Sequence, residues 1–378
     1  MPDPKIQLSE TWFDAAEAER IALALAGRVA GNGPFGQKVE RRLEAMLGGG
    51  RRVLLTTSCT HAMELALLAL GIGPGQEVVC PSFTFVSTAN AVLRTGARPV
   101  FADIEDRTLG LDPDDVARRL SPRTAALLPV HYGGVAPDMD RLGELAREHG
   151  LKIVEDAAHG LGASFRGRAL GALGDAGCLS FHETKNISCG EGGAVVVADP
   201  EVAERAEVIR EKGTNRSAFL RGEVDKYTWV AEGSSYILSD VLAAVLDAQL
   251  DKFDEIQSRR ARVAARYHEE LGPWAQAHGA RLPFRCAHLQ SADHLFQVLL
   301  PDEETRDLCL ARLRAQGVMA TFHYVPLHSS PHGRRLGAPP ELPVTDRVAR
   351  TLLRLPLHPR LSERDVERVV AAVKQALA

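Results

Sequence analysis

The chain has 378 residues, of which 45% are hydrophobic and 25% charged, and its formal net charge is −4. This length exceeds that of a usual single core, so we expect one large domain and a smaller one. The small net charge favours neither nucleic acid nor an acidic membrane surface as a partner. The polar start, MPDPKIQLSE, lacks the apolar stretch of a secretion signal, and no run is long enough to span a bilayer. We therefore expect a cytoplasmic protein whose six scattered cysteines stay reduced.

Short apolar runs between residues 52 and 199 mostly alternate with helix-like segments such as 61–70 and 140–150. This alternation predicts an α/β fold with βα units around a mostly parallel sheet of about seven strands, buried on both faces. A short glycine-rich connection separates the last two runs, so we expect an antiparallel strand there. The runs occupy residues 52–57, 77–82, 98–104, 125–132, 151–158, 176–182 and 192–199.

Beyond residue 240 the pattern changes to that of a smaller α/β domain. Apolar spacing predicts one long helix over 250–272 and a last helix that begins at Glu363. A strand (295–300), a helix (303–316) and an alternating strand (318–324) are expected between them. We therefore predict a large domain over 1–249 and a small C-terminal domain over 250–378.

The segment TTSCTHAMELAL predicts a strand that leads directly into a helix through Ser58, Cys59 and Thr60. The free N–H groups of a helix start, together with hydroxyl groups, form a good seat for a phosphate. A plain helix cap by Ser58 or Thr60 is the alternative. Neither a Walker pattern nor G-x-G-x-x-G follows a strand, so a nucleoside triphosphate or dinucleotide site is not indicated.

An acidic pair ends the apolar run KIVEDAAHG. Asp156 could stabilise a protonated ring nitrogen of a cofactor, while Glu155 would point to the opposite face of the sheet. A carboxylate that merely caps a helix is the alternative for Asp156.

Lys185 follows a strand and precedes a glycine-rich turn in LSFHETKNISCGEGG. A lysine there could form a Schiff base if burial lowered its pKa, although a solvated loop lysine is the alternative. His182 and Glu183 begin a pattern typical of zinc helices, but Asn186 stands where the second histidine of H-E-x-x-H would be. We therefore expect no metal at this site.

Aromatic and histidine side chains supply the remaining candidates. Phe83 and Phe85 alternate in PSFTFVSTAN, and either stacking on a flat ring or core packing would explain them. His323 and His328 could act as acid–base or substrate-binding groups, or be structural.

These signals occur in an order that resembles the DegT-type sugar-nucleotide aminotransferases, which have the fold-type-I, aspartate-aminotransferase-like architecture. The resemblance runs over nearly the whole chain. Its strongest part is VEDAAHGLGASFRGRALGALGDAGCLSFHETKNISCGEGGAVVV, supported by GPFGQKVERRLEAMLG, PSFTFVSTANAVL, PVHYGGVAPDMD and FHYVPLH.

The resemblance implies that pyridoxal 5′-phosphate (PLP) is the cofactor and that Lys185 is its Schiff-base lysine. Further implied roles are a partner of the pyridine nitrogen (Asp156), a ring that stacks on the cofactor (Phe85) and phosphate contacts (Ser180, Cys59 and Thr60). His159 stands near the phenolic oxygen, where most relatives have glutamine, and its charge would alter the cofactor's electronics. The last histidine-rich segment supplies candidate substrate contacts, namely His323, Tyr324 and His328.

The family also implies a homodimer with each active site at the interface. In many members an asparagine of the second subunit contacts the phosphate, whereas Ser235 replaces it in this sequence. The replacement puts that contact in doubt.

Three segments are most similar to dTDP-4-amino-4,6-dideoxygalactose transaminases, namely SFHETKN, REKGTNRSAFLRGEVDKYTW and GSSYILSD. This similarity implies transfer of an amino group from L-glutamate to the 4-keto carbon of dTDP-4-keto-6-deoxy-D-glucose. The gluco epimer, a 3-keto sugar and another nucleotide remain alternatives. A family dehydratase usually has histidine in place of Lys185. A non-catalytic sugar-binding regulator would be expected to have a DNA-binding extension or to lack this lysine, and a purely structural protein would not explain the ordered site residues.

Overall fold

The computed structural model describes residues 4–337 and 340–377. Its helices are α1 (Ala15–Leu25), α2 (Pro34–Met46), α3 (Cys59–Ala69), α4 (Val86–Arg94), α5 (Pro113–Arg119), α6 (Met139–His149), α7 (Pro200–Arg210), α8 (Arg216–Leu220), α9 (Asp240–Asp251), α10 (Phe253–Ala277), α11 (Glu303–Ala315), α12 (Pro343–Thr351) and α13 (Glu363–Ala376). Its strands are β1 (Arg52–Thr56), β2 (Glu77–Pro81), β3 (Arg98–Ala102), β4 (Thr124–Leu127), β5 (Lys152–Asp156), β6 (Ser164–Phe165), β7 (Arg168–Ala169), β8 (Ala176–Ser180), β9 (Gly193–Val197), β10 (Leu289–Gln290), β11 (Phe296–Leu299) and β12 (Leu352–Leu355).

The seven predicted strands form one sheet, in the order β1-β9-β8-β5-β4-β2-β3. Parallel pairing joins β8, β5, β4, β2 and β3. β9 runs antiparallel to both β1 and β8, so the antiparallel strand expected near residue 192 is confirmed.

Alternate residues of these strands face two apolar layers, as expected for a sheet covered on both sides. Leu54 and Val78 pack on one face in a cluster that also contains residues of α3, α4 and α7. Val53 and Leu55 pack on the other face with residues of α2 and α9. The helices thus bury both faces and leave the carboxyl ends of the strands to form a site.

A second apolar cluster joins α10, α11, α13, β11 and β12. Ile6, which the predicted division assigns to the large domain, packs in this cluster and bonds through its main chain to Gly317 and Met319. The division of the chain at residue 250 stays a prediction.

The helix predicted over 250–272 was wrong at both ends. α9 already covers Asp240–Asp251, and Lys252 (φ −100°, ψ 5°) separates it from α10. α10 then continues through Pro273 to Ala277, although proline removes one helical hydrogen bond.

The strand predicted over 318–324 was also wrong, because this segment makes only isolated bridges in the part of the chain that the structure describes. Val318 pairs with Ile6 and Thr321 with Arg354. Between them, the Ala320 N–H bonds to the Val318 carbonyl at 3.0 Å, and this tight turn interrupts the extended run.

None of the described helices combines the length and apolar character needed to cross a membrane. The cytoplasmic location stays a prediction.

Candidate active site

A cavity of about 530 Å³ opens where β1, β5 and β8 end and where the α3 and α4 helices begin. Nine of the eleven residues predicted for the site line it. They are Cys59, Thr60, Phe85, Asp156, His159, Ser180, Lys185, His323 and Tyr324.

The other two predicted residues, Ser235 and His328, are not among the residues that line the cavity. Ser235 is exposed and forms a bridge with Glu211, so any contact with a partner's cofactor stays a prediction. His328 is buried, and its Nδ1 lies 2.6 Å from the Ser82 hydroxyl. In this chain His328 connects a loop to the core.

The polar side chains at the start of α3 have two different roles: one caps the helix and another lines the cavity. Ser58 caps the helix, since its hydroxyl accepts the His61 N–H at 3.1 Å. The Thr60 hydroxyl is therefore not the cap; it donates to Ser87 at 2.8 Å, and both side chains line the cavity. A Cβ on Gly193 would lie 2.4 Å from the main-chain N of Cys59, so only glycine allows this close approach of β9.

Asp156 ends β5 and is almost completely buried, with 5% of its surface exposed. Its Oδ2 accepts the Thr88 hydroxyl at 2.8 Å, and its Oδ1 accepts the Ala158 N–H at 3.2 Å. No helix begins here, so Asp156 is not a helix cap. One carboxylate therefore stands in the cavity wall with its orientation fixed from behind.

The neighbouring Glu155 points to the other side of the sheet, as the alternation of a strand requires. Its carboxylate lies 2.8 Å from His131 Nε2 and accepts the N–H groups of Gly171, Leu173 and Gly174. The acidic pair thus has one member in the cavity and one member that organises a loop.

Lys185 is half-buried in the cavity wall rather than solvated. The pKa of its amine is lowered from 10.5 to about 8, mainly by desolvation and with a smaller contribution from the charge of Arg354, against Cys59 and Asp156, which raise it. A substantial fraction of the amine is therefore neutral near neutral pH and can act as a nucleophile.

His159 is held as a neutral imidazole. Its Nδ1 accepts the Gly133 N–H at 3.2 Å, so the proton is on Nε2. Its ring stacks on His294 at 4.1 Å, and burial with nearby Lys185 lowers the pKa of His159 well below 6.5. The imidazole is thus an uncharged N–H donor, and its effect on the electronics of a bound cofactor stays a prediction.

The two alternating phenylalanines have different environments. Phe83 is fully buried and packs 5.1 Å from Tyr132, which is the core-packing alternative. Phe85 lines the cavity with 58% of its surface exposed. Such a large exposed ring in a concave site is available for a flat ligand.

Sequence reasoning missed four residues around the cavity. Thr88 and Tyr132 lie behind residues of the lining, whereas His294 lines the cavity beside His159; their spacing carries no recognisable motif. Arg354 lines the cavity directly, and its Nη1 donates to His323 Nε2 at 2.7 Å. A single charged residue in the apolar run LLRLPL was the signal that could have revealed it.

The groups in the cavity fit PLP. They comprise an amine for its aldehyde, a carboxylate for its ring nitrogen, an exposed aromatic face, and hydroxyl and N–H donors at a helix start for its phosphate. Together with the sheet topology, they define a PLP-dependent enzyme of fold type I.

Comparison with known proteins identifies the family. The model of the DegT/DnrJ/EryC1/StrS aminotransferase family matches residues 13–374. The chain belongs to this family and is a PLP-dependent aminotransferase.

Solved structures of the same fold are similar over almost their full length. The aminotransferase TlmJ from Streptoalloteichus hindustanus is 36% identical, with a TM-score of 0.91 and 99% of each chain covered. DesV from S. venezuelae is 37% identical, with a TM-score of 0.89 and coverage of 99% of this chain and 98% of that one. A protein from Streptococcus pneumoniae assigned as a sugar aminotransferase is 25% identical, with a TM-score of 0.91 and 98% of each chain covered.

Proposed function

We propose that the protein transfers an amino group from L-glutamate to the 4-keto carbon of dTDP-4-keto-6-deoxy-D-glucose, giving dTDP-4-amino-4,6-dideoxy-D-galactose. The family supports amino transfer, and the Streptococcus pneumoniae relative supports a sugar as acceptor. The three segments that are similar to dTDP-4-amino-4,6-dideoxygalactose transaminases support the 4-keto acceptor and the galacto product.

The cofactor is proposed to lie against Phe85, with its ring nitrogen at Asp156 and its phenolic oxygen at the Nε2–H of His159. Thr60, Ser180 and the main chain at Cys59 would hold the phosphate at the start of α3. When bound there, PLP withdraws electrons from the reacting carbon and stores the amino group between the two half-reactions.

The observation that carries the proposal is the Lys185 amine in the cavity wall, with its pKa lowered to about 8. Near neutral pH such an amine accepts a proton from one carbon and donates it to another with similar ease. Lys185 would take the α-proton of glutamate and later deliver a proton to the sugar carbon. The direction from which Lys185 approaches that carbon sets the configuration of the new amine.

A homodimer is part of the proposal, with Ser235 near the partner's site. Exposed aromatic side chains in the segment 219–229 support a covered surface, since Phe219, Tyr227 and Trp229 are 41%, 56% and 72% exposed in the single chain. Sedimentation of the purified holoenzyme tests this point: a dimer is expected, and a stable monomer would contradict it.

The substrate assignment is tested by incubating holoenzyme with L-glutamate and dTDP-4-keto-6-deoxy-D-glucose and analysing the product by proton NMR. A small coupling between the protons on sugar carbons 3 and 4 indicates an axial amine and the galacto product. A large coupling would keep the amino transfer and replace the product by the gluco epimer. No amino sugar would reject this substrate and direct the search to a 3-keto sugar or another nucleotide.

A further inference from the structure

Arg354 is a cationic side chain in the cavity with no assigned role. It lies in β12, whose main chain is fixed on both sides, since β12 pairs with β11 and Arg354 N donates to the Thr321 carbonyl at 2.7 Å. The guanidinium therefore projects from a rigid strand into the lining that also contains Lys185. A side chain on a strand is positioned more accurately than one on a loop.

The hydrogen-bonding capacity of this guanidinium is mostly unused. Nη1 donates to His323, while Nε is buried and has no partner. No carboxylate among residues 4–337 and 340–377 forms an ion pair with Arg354. Two more deeply buried arginines have more partners: Arg210 pairs with Glu40 at 2.9 Å and donates to the Leu55 carbonyl and Asn32, although its Nε also lacks a partner. Arg260 donates to two main-chain carbonyls. The guanidinium N–H groups of Arg354 that have no partner form a fork of donors. Such a fork in a partly buried cavity is suited to bind an anion through two parallel hydrogen bonds.

His323 fixes the direction of this fork. Burial, together with Arg354 and Lys185, lowers the pKa of His323 to about 2, so the ring is neutral. Because Nε2 accepts from Arg354, the ring proton is on Nδ1, which lies 3.1 Å from the Tyr132 hydroxyl. The buried Tyr132 thus holds His323, and His323 holds Arg354.

Arg354 and Lys185 line the same cavity, so an anion held by Arg354 would lie beside the Lys185 amine. In an amino-acid donor, the α-carboxylate is attached to the reacting carbon, whereas a side-chain carboxylate is several bonds away. We propose that Arg354, oriented by His323, binds the α-carboxylate of the amino-acid donor beside Lys185. This inference rests on the proposed amino transfer but not on the identity of the sugar.

The first test is the half-reaction of the holoenzyme with an amino-acid donor in the absence of sugar. The reaction is monitored through the change in the absorbance of the cofactor. L-glutamate, L-glutamine and L-alanine all have the α-carboxylate, and only L-glutamate has a second one. In Arg354→Gln, the half-saturating concentration of every donor that the wild type converts is expected to rise roughly 10- to 100-fold, as for loss of a charge-assisted hydrogen bond. Arg354→Lys, which keeps the charge without the fork, is expected to lie between wild type and Arg354→Gln.

Arg350→Gln is the matched control, since Arg350 is exposed on α12 and lines an outer groove instead of the cavity. Circular dichroism establishes that the variants fold. A loss confined to L-glutamate would overturn the proposal in favour of side-chain carboxylate binding. Equal half-saturating donor concentrations in Arg354→Gln and Arg350→Gln would also overturn the proposal.

A binding readout separates this inference from the proposed function. Glutarate cannot react, and calorimetric titration of holoenzyme with it is expected to show a roughly 10- to 100-fold weaker affinity in Arg354→Gln. Equal affinity, or no binding by the wild type, would overturn the carboxylate site. If glutarate binding depended on Arg354 but the enzyme transferred no amino group, the proposed function would be rejected and the carboxylate site would be retained.

His323 is inferred to be a positioning residue. His323→Ala is expected to raise the half-saturating donor concentration while the maximal rate changes little, and to add nothing in the Arg354→Gln background. Additive losses in the double variant would show that His323 does not act through Arg354.

Discussion

The Thr88 hydroxyl donates a 2.8 Å hydrogen bond to Oδ2 of Asp156 from behind the cavity wall. Thr88 in turn contacts the Thr84 hydroxyl at 2.7 Å, and both threonines are buried. Thr88→Val keeps the shape of the side chain and removes this bond, so Asp156 is held less firmly. We expect PLP affinity to fall about tenfold in an equilibrium titration of the apoenzyme.

Thr88→Ser is the matched control, because it retains the hydroxyl that Asp156 accepts. Its PLP affinity should stay close to that of the wild type. If valine and serine at this position weakened binding equally, the hydrogen bond would not be the reason.

Asp156→Asn tests the carboxylate itself. The amide keeps the size of the side chain but carries no negative charge to stabilise a protonated ring nitrogen. The donor half-reaction should slow by at least about 100-fold, the scale of losing one electrostatic contact to the reacting system. Cofactor that still binds to Asp156→Asn and reacts at the wild-type rate would contradict the assignment.

The lowered pKa of Lys185 predicts how reconstitution depends on pH. The neutral amine is the nucleophile, so the rate of covalent PLP attachment to apoenzyme should rise up to about pH 8 and level off above it. A lysine with the ordinary value of 10.5 would give a rate that continues to rise. Because the positive charge of Arg354 lowers this pKa, Arg354→Gln should move the midpoint to higher pH.

The neutral state of His159 makes a separate prediction. Titration of His159 should contribute no step to the absorbance of the holoenzyme near the ordinary histidine pKa of about 6.5, since His159 stays uncharged well below that pH. His159→Gln, another neutral donor, should leave the spectrum nearly unchanged. A step near pH ~6.5 in wild type that disappears in His159→Gln would show a charged imidazole instead.

The buried Glu155 supports the fold rather than the chemistry. Its pKa lies below the ordinary 4.5 because His131 and main-chain N–H groups outweigh the effect of burial. A lowered pKa gives stability that is present above pH 4.5 and lost as pH falls through the folded-state value. Glu155→Gln should reduce the free energy of unfolding by about 3 kcal/mol at neutral pH, measured by urea denaturation, and flatten the acid dependence.

The seven sheet strands were predictable from sequence because strands covered on both faces are short, continuous apolar runs. The segment 318–324 was predicted to be a strand from its alternating pattern, yet its observed bridges are to Ile6 and Arg354, which are distant in sequence. Lys185 and Asp156 were found because they follow strands in a recognisable order. Thr88 and Arg354 act through contacts that only the folded chain creates.

His159 shows most clearly what could not be predicted from the sequence. The sequence gives an ionisable residue at this position, but its charge state depends on the Gly133 N–H and on burial beside Lys185. Those surroundings come from three separate parts of the chain. A side chain's identity was therefore predictable, whereas its protonation state was not.

Attachment of the cofactor to Lys185 can be tested directly. Holoenzyme can be treated with borohydride, digested and analysed by mass spectrometry to find the lysine that retains a reduced pyridoxyl phosphate group. We expect the label on Lys185 and its complete absence from Lys185→Ala. Label on another lysine of the wild type, or an unlabelled Lys185 in fully loaded enzyme, would contradict it.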